Sequence, residues 1–453
     1  MKKLAKLMFL VCALSMLLSL IGCSAMDLNS GMMGGGYGGY APISPGGDKG
    51  SMESPEYGGD DVFDEAPDAD DGGAEGGESD AGEEVKPDEI YLPSGMITAG
   101  AWVDNDNYQM WLDLFAQGEQ ENGKFYEYTS SSNSLGFNSQ NRVKVTVKNG
   151  ENAVAGATVI ASDGQGNSLF SAVSDAQGNA YLFVDELDGT VTVTSGEGSA
   201  SAVFSKDERE LSVELSQNAG KLNVIEIMLV VDVTGSMGDE INFLKAEISD
   251  VISKIAENNS NAVIKLAMLF YRDKNDAVPF RYFDFTNVNE KSGMDQQQAS
   301  LNTQIAEGGG DYPEAVDEAL EMAVNQQWST GATTKIIFHV LDAPLHSGSK
   351  YESNFVNAVK NAAEKGIRIC PILCSGADGL TEYSMREAAI YTGGTFVFVT
   401  DDSGIGGSHH DPNLPNVTVE LLNSLMVRLV NGYHTGTFAE PIYWKQDPNL
   451  GNK

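Results

Sequence analysis

The apolar positions of this chain follow two patterns, which change near residue 220. Residues 141–217 alternate apolar and polar side chains in seven short runs, separated by turn formers such as "DGQGN" and "DAQGN". Alternation with a period of two is typical of strands that bury one face. The region therefore predicts an antiparallel β-sandwich.

From residue 221 to about 432 the apolar runs become continuous, and amphipathic stretches such as "EINFLKAEISDVISKIAE" lie between most of them. Strands buried on both faces that alternate with helices indicate an α/β domain with a doubly wound, mostly parallel, Rossmann-like sheet. Ligands of such sheets bind beyond the carboxyl ends of the strands. The functional residues are therefore expected where these apolar runs end.

The segments on either side of these two regions carry weaker patterns. Within residues 88–140, "DNDNYQMWLDLFAQGE" predicts a short helix with Asp104 or Asp106 as its N-cap. We interpret residues 88–140 as a helical lead-in to the sandwich. Residues 433–453 follow the α/β domain, and we interpret them as a C-terminal tail.

The first residues, "MKKLAKLMFLVCALSMLLSLIGCSAM", combine a basic start with an apolar stretch too short for a comfortable bilayer span. The stretch ends in "LIGC", which resembles the lipobox of bacterial lipoproteins. The resemblance implies that residues 1–22 are a signal peptide and that Cys23 becomes a lipidated N-terminus. The protein would then be exported and anchored in a membrane of the cell envelope, facing the outside or the periplasm. The alternatives are an ordinary signal peptide or an uncleaved anchor.

Residues 23–87 are glycine-rich and then acidic, with few branched apolar side chains. Such a segment cannot bury enough apolar surface to offset the entropy of ordering, so we predict a disordered, self-repelling tether. The whole chain has 65 acidic and 28 basic residues, a net charge of −37. This surface disfavours nucleic acid as a partner, because phosphates would find little positive charge to neutralise them.

A candidate metal site stands in "VVDVTGSMGDEI", where an apolar run ends at Asp232. Thr234 and Ser236 follow at alternate positions, so an extended turn would point their hydroxyls the same way as the carboxylate. Carboxylate, hydroxyl and water oxygens are the ligands that a hard cation such as Mg²⁺ prefers. A second strand end, in "VLDAPLH", supplies Asp342. The alternative is that Asp232 and Ser236 merely mark the entry to a helix.

D-x-T-x-S is also the first motif of the von Willebrand factor type A (vWA) family, whose metal site is called MIDAS. "FYRDKND", "GGGDYPEAVDEAL" and "VLDAPLH" follow in the family's order, so the resemblance covers about 210 residues. It implies that Thr234 and Ser236 ligate Mg²⁺, or Mn²⁺ or Ca²⁺, directly, and that Asp232 and Asp342 act mostly through water. Where the family usually has a threonine, this chain has Asp311.

Asp311 has two interpretations. As a metal ligand it would add a third carboxylate, strengthening cation binding and lowering the remaining positive charge of the ion. As the first residue of "DYPE" it would instead be the N-cap of a capping box. Asp273, in "YRDKND", and His346 are expected to brace the loops or support the ligands from outside, since imidazole is a poor partner for Mg²⁺.

The sandwich sequence "NAVAGATVIASDGQGNSLFSAVSDAQGNAYLFV" resembles the carboxypeptidase-regulatory-like and related Ig-like modules of bacterial surface proteins. The resemblance implies a stalk or interaction module.

We do not expect an enzyme, because the chain has no nucleophile elbow, no P-loop and no H-E-x-x-H motif, and no small-molecule substrate is evident. The sequence instead predicts a cell-surface lipoprotein that uses the metal in adhesion or complex assembly, with a partner protein's Glu or Asp as the outside ligand. The alternative is a structural envelope scaffold whose metal only stabilises the fold.

Overall fold

The computed structural model describes residues 97–116, 124–129, 134–217, 219–220, 222–331, 334–403 and 409–451. The predicted signal peptide, the lipidation site at Cys23 and the predicted tether lie outside the described residues.

The helices are few and mostly belong to the second half of the chain: α1 Tyr108–Asp113, α2 Tyr126–Thr129, α3 Gly238–Asn258, α4 Lys291–Asn302, α5 Val316–Val324, α6 Ser349–Lys365, α7 Gly379–Thr392 and α8 Leu422–Thr435. The strands are β1 Thr98–Trp102, β2 Arg142–Asn149, β3 Asn152–Ala153, β4 Thr158–Ser162, β5 Ser168–Val173, β6 Asn179–Phe183, β7 Gly189–Ser195, β8 Gly198–Phe204, β9 Glu210–Glu214, β10 Val224–Asp232, β11 Val263–Tyr271, β12 Phe280–Asn287, β13 Thr334–Leu341, β14 Ile367–Leu373, β15 Phe396–Val399 and β16 Glu420–Leu421.

One eight-stranded sheet has the order β12-β11-β10-β13-β14-β15-β1-β16. The five strands from β11 to β15 in this order run parallel, whereas β12 and β1 run antiparallel to their neighbours. This mixed α/β fold with a mostly parallel central sheet confirms the fold class predicted for residues 221–432. The five parallel carboxyl ends all lie at one edge of the sheet, which is where the predicted site residues stand.

Helices cover both faces of the sheet. The side chains of the central strand β10 therefore point alternately into two cores. Met228 and Val230 pack in the core that contains α5, α6 and α7. Ile227 and Leu229 pack in the opposite core, with α3 and α8.

The lead-in contributes a strand, β1, that its sequence pattern does not predict. β1 pairs antiparallel with β15, where Gly100 lies opposite Phe398, and with β16, where Thr98 lies opposite Leu421. The expected helix is present as α1, but Asn107 occupies its N-cap position, without a capping hydrogen bond from its side chain. The interpretation of residues 88–140 as only helical is therefore incomplete, since strand partners so distant in sequence leave no local trace.

All seven alternating runs of residues 141–217 form strands, joined by the two-residue β3. They make two four-stranded sheets, one with β3, β2, β6 and β9 and the other with the order β5-β4-β7-β8. Valines on their inner faces, such as Val145 and Val193, are fully buried. The pairing is antiparallel except between β2 and β9, which run parallel. The prediction of a wholly antiparallel arrangement is wrong for this pair, because the two strands come from opposite ends of the module.

These two sheets pack against α6 and α7 of the α/β domain. Tyr391 of α7 stacks on Phe183 with ring centroids 4.3 Å apart, and it meets Phe170 edge-on at 5.7 Å. Apolar residues of both regions therefore belong to one continuous core.

The region predicted as a tail begins inside α8, which ends at Thr435. Farther on, Trp444 is buried and packs with Leu421 of β16. Within the described ranges, every helix is too short or too polar to cross a membrane.

Candidate metal site

Two carboxylates meet where neighbouring parallel strands end. β10 ends at Asp232, and Asp342 follows the last residue of β13. The strands are paired side by side, with Val231 opposite Val340. Both carboxylates are buried, Asp232 completely and Asp342 to all but 4%. The sequence therefore predicted correctly that these two acids share one edge of the sheet.

Only one oxygen of Asp232 is hydrogen-bonded. Its Oδ1 accepts hydrogen bonds from the backbone N of Thr234 at 2.8 Å and from the Thr234 hydroxyl at 2.7 Å. Its Oδ2 is buried without a hydrogen-bond partner among the described residues. Burial raises the pKa of Asp232 to about 7, with Asp342 adding to the shift and the Thr234 hydrogen bonds opposing it. A buried carboxylate oxygen without a partner is costly, and a cation would relieve that cost.

Ser236 reaches the second carboxylate. It lies in a single 3₁₀ turn, Gly235–Met237, directly before α3, and it is exposed. Burial raises the pKa of Asp342, against a hydrogen bond from the Ser236 side chain that lowers it. The turn thus lies between the two strand ends: Thr234 hydrogen-bonds Asp232, and the Ser236 side chain lowers the pKa of Asp342.

A glycine loop faces this turn. Gly308, Gly309 and Gly310 all have positive φ angles, of 81°, 87° and 130°, which residues with a Cβ rarely adopt. Asp276 holds the loop, since its Oδ2 accepts a hydrogen bond from the Gly309 N at 3.0 Å. A Cβ added at Gly308 would lie 2.8 Å from the Asp276 carboxylate. Glycine is therefore required for this close approach.

Between the turn and the glycine loop lies an open cleft of about 560 Å³. Four of the five predicted metal residues line it, namely Thr234, Ser236, Asp311 and Asp342, and the fifth, Asp232, is hydrogen-bonded to Thr234 just below. Its described lining residues include no Lys, Arg or His. The structure therefore brings all five predicted residues into one region.

Asp311 lies exposed on the cleft and does not cap a helix. α5 begins at Val316, and the position before it is Ala315. The intervening chain pairs elsewhere, because the backbone N of Glu314 donates a hydrogen bond to Pro344 O at 3.0 Å and Glu314 forms an isolated β-bridge with Leu345. The capping-box interpretation is therefore wrong, since this long-range pairing prevents helix formation at Asp311.

Two buried acids near the cleft were not predicted. Glu240, in the first turn of α3, accepts a hydrogen bond from the Ser375 hydroxyl at 3.3 Å, and burial raises its pKa. Glu314 is 4% exposed and lines the cleft. Burial, followed by the charge of Asp232, raises the pKa of Glu314 to about 9. The available signal was the glutamate of "GGGDYPEA", which belongs both to the family motif and to the predicted capping box.

Asp273 and His346 form a buried pair at the margin of the site. His346 Nε2 lies 2.6 Å from Asp273 Oδ1. Burial by itself would raise the pKa of Asp273, but the hydrogen bonds from His346 and the backbone outweigh it, and the pKa lies below the ordinary value. The neighbouring Arg272 donates hydrogen bonds to Ile305 O at 3.2 Å and to Glu307 at 2.9 Å. These contacts tie together the loops around the cleft.

The donor set fits a small hard cation held partly by hydroxyls and water. Among the described residues, no group of three or more His, Cys, Asp and Glu side chains is arranged to hold a metal ion. Two carboxylates and two hydroxyls converge instead, and one carboxylate oxygen, Asp232 Oδ2, has no partner in this part of the chain. Mg²⁺ binds through one or two carboxylates and keeps several waters, so this set suits it.

Comparison with known proteins identifies the domain that carries this site. Residues 226–392 match the family model described as von Willebrand factor A domain. An ariadne-like RING finger protein of Acanthamoeba polyphaga mimivirus is 24% identical over 223 residues, which cover 45% of this chain and 20% of that protein. An alpha-protein kinase of Dictyostelium discoideum is 24% identical over 156 residues, covering 33% of this chain and 23% of the kinase. The chain thus spans about a fifth of the length of these curated relatives.

A similar solved structure is the pilus adhesin SpaC from Lactobacillus rhamnosus GG. It has 12% sequence identity and a TM-score of 0.31, and the similarity covers 46% of this chain and 29% of the adhesin.

Proposed function

We propose that the von Willebrand factor A domain at residues 226–392 binds a protein partner through a divalent cation at the carboxyl edge of its sheet. The observation that carries the proposal is the buried Oδ2 of Asp232, which has no hydrogen-bond partner among the described residues and lies beside a second buried carboxylate, Asp342. An arrangement of this kind is unfavourable unless positive charge is supplied. The cation is Mg²⁺, with Mn²⁺ or Ca²⁺ as substitutes.

Thr234 and Ser236 would hold the ion with their hydroxyls, and Asp232 and Asp342 with their carboxylates, directly or through water. Asp311 is placed on the same cleft, where it would face the incoming partner. When bound, the ion supplies a positively charged coordination position that a Glu or Asp carboxylate of the partner can occupy.

The residues that line the cleft explain why binding of a partner's carboxylate would require the cation. The cleft is lined by acidic and neutral residues, so without added positive charge it repels an acidic side chain. Gly308 to Gly310 leave one wall without side chains, which lets a partner's backbone come close. Tyr312, 45% exposed on the opposite rim, is fixed by a hydrogen bond from its hydroxyl to Gly376 O at 3.2 Å. It offers an ordered aromatic surface beside the carboxylate position.

We further propose that a lipid on Cys23 anchors the protein in a membrane of the cell envelope and that residues 23–87 act as a spacer. The two-sheet module at residues 141–217 then serves as a rigid support, because it shares a core with α6 and α7. A binding domain held on such an anchor would serve in adhesion or complex assembly at the cell surface.

The test combines metal uptake with partner capture. Isothermal titration should show Mg²⁺ binding by the wild-type protein and its loss in D232N. Pulldown from envelope extract should recover a partner in Mg²⁺ but not in EDTA, and not with D232N. The matched control is D239N, which changes an exposed aspartate in the first turn of α3 outside the cleft. Partner capture that is unchanged in EDTA would contradict the proposal.

A purely structural metal would give a different result in the same experiment. D232N would then lower the melting temperature measured in Mg²⁺ but leave partner capture intact. The binding proposal expects capture to be lost under conditions in which D232N remains folded.

A further inference from the structure

The glycine-loop motif "GGGDYPEA" carries two acids, and the structure places them differently. Asp311 is exposed. Glu314 is only 4% exposed, and yet it lines the same cleft. Burying a carboxylate away from water costs free energy unless the carboxylate is paired. The burial of Glu314 beside a polar cleft therefore requires a physical reason.

The backbone fixes Glu314 beside the two strand ends. Its N–H donates to Pro344 O at 3.0 Å, two residues beyond Asp342, and it is bridged to Leu345. Its carboxylate lies against the glycine loop. A Cβ added at Gly309 would be 3.0 Å from Glu314 Oε1 and 3.4 Å from Thr234 Cβ, so Gly309 lies between Glu314 and Thr234.

One oxygen of Glu314 has nothing to bind. Glu314 Oε2 is buried and has no hydrogen-bond partner within the described ranges, the same condition as Asp232 Oδ2. The charges that raise its pKa are those of Asp232, Asp273, Asp276 and Asp342, all acidic. Buried carboxylates are normally paired with a base or with a metal, and the described lining of this cleft contains no Lys, Arg or His.

We propose that Glu314 is the loop carboxylate of the cation site, that it acts on the ion through water, and that Asp311 is not required for ion binding. This inference rests on the function proposed above. Contact through water agrees with the finding that, among the described residues, no three acidic side chains lie close enough to hold an ion together. Waters on Mg²⁺ donate hydrogen bonds, and a buried acceptor such as Glu314 Oε2 can receive them and orient the ion.

The test measures Mg²⁺ and Mn²⁺ affinity by isothermal titration for the wild type, E314Q and D311N. E314Q should bind at least about tenfold more weakly, the size of effect found when a carboxylate that orients a metal site is removed. D311N should bind with nearly the wild-type affinity. The matched control is D317N, which neutralises another buried acid with an unpartnered oxygen, three residues along the chain and outside the cleft lining. It should also keep the wild-type affinity.

Thermal unfolding in EDTA separates a role in ion binding from a role in folding. E314Q is nearly isosteric and removes a buried acid from an acidic cluster, so its metal-free melting temperature should equal or exceed that of the wild type. A merely structural Glu314 would give a lower melting temperature and an unchanged ion affinity. E314D, which keeps the charge on a shorter side chain, should bind the ion more tightly than E314Q.

The outcomes distinguish this inference from the proposed function. If E314Q binds Mg²⁺ as the wild type does while D232N does not, the role of Glu314 is overturned and the metal site stands. If D311N loses affinity and E314Q does not, Asp311 is the loop carboxylate instead. If the wild-type protein takes up neither Mg²⁺ nor Mn²⁺, both proposals fail.

Discussion

Arg386 on α7 and Asp104 in the lead-in form a buried ion pair across 282 residues of sequence. Arg386 Nε donates to Asp104 Oδ2 at 3.0 Å, and Nη2 donates to Asp104 Oδ1 at 2.5 Å. The same guanidinium also binds Glu382 at 2.9 Å. The chain before the two-sheet module is thus fastened to the last helix of the vWA-matching region.

D104N should destabilise the protein by up to about 3–5 kcal/mol, because the buried Arg386 would then have only Glu382 as a partner. Urea denaturation followed by circular dichroism measures the change. The control is E210Q, which alters a pair with Arg142 at 3.7 Å in which the Glu210 side chain is 75% exposed. That pair should contribute less than about 1 kcal/mol. Equal effects of D104N and E210Q would show that the buried pair has no special role.

Y391A should destabilise the protein by about 3–5 kcal/mol, because the ring is buried and its removal leaves a cavity between the module and the vWA domain. Y391F should lower the free energy of unfolding by only about 1 kcal/mol, which is the typical contribution of one hydrogen bond. The bond lost is the one that the Tyr391 hydroxyl accepts from Asn138 N at 2.8 Å. Chemical denaturation gives both values, and limited proteolysis should cut Y391A between the two regions. A Y391F variant as unstable as Y391A would contradict the packing explanation.

Glu387 on α7 should make stability fall as pH rises. Burial, with a contribution from Asp104, raises its pKa from 4.5 to about 8 in the folded protein. Between these two values the folded state holds a proton that the unfolded state has released. Its contribution to stability is therefore complete below about pH 4.5 and is lost as pH rises towards 8, by at most about 1.4 kcal/mol per pH unit.

The measurement is the pH profile of the free energy of unfolding for the wild type and E387Q. The amide can still accept the hydrogen bond from Ser139 Oγ, which is 2.8 Å from Glu387 Oε1. Relative to the wild type, E387Q should gain stability from about pH 5 to about pH 8, and parallel profiles would rule out Glu387 as the titrating group. Taking the difference between the two proteins removes the effect of other buried acids.

D232N should have opposite effects with and without Mg²⁺. In EDTA it should unfold at the same or a higher temperature than the wild type, because it removes a buried charge while its Oδ1 can still accept from Thr234. At a Mg²⁺ concentration about 100 times the dissociation constant, the free energy of unfolding of the wild type should rise by about 2.7 kcal/mol, and that of D232N should not rise. Differential scanning fluorimetry over a Mg²⁺ series tests this, and an equal gain in both proteins would be inconsistent with ligation by Asp232.

Much of this architecture could be predicted from local pattern. The run ending at Asp232 was long and continuously apolar, so its strand character and the position of its end were both clear. Asp342 was placed at the same edge for the same reason. β1 could not be predicted in this way, because "TAGAW" is short and lacks branched apolar residues, and its partners β15 and β16 are distant in sequence.

The wrong interpretation of Asp311 has a similar cause. The spacing of Asp311 and Glu314 fits a helix start, and only the pairing of Glu314 with the loop after Asp342 overrides it. With Glu314 paired to that loop, Glu314 is buried and Asp311 is exposed. Which of the two acids in this motif is buried was therefore decided by a contact that the motif does not contain.

The position of β1 also decides how the protein would carry mechanical load. Thr98, at its start, lies at the sheet edge where β10 and β13 end, because β1 runs antiparallel to β15. A pull on the chain before residue 97 would enter the eight-stranded sheet along β1 and bypass the two-sheet module. The candidate cation site lies at that same edge, so a pull between the site and the chain before β1 would load the ladders to β15 and β16 from the Thr98 end first.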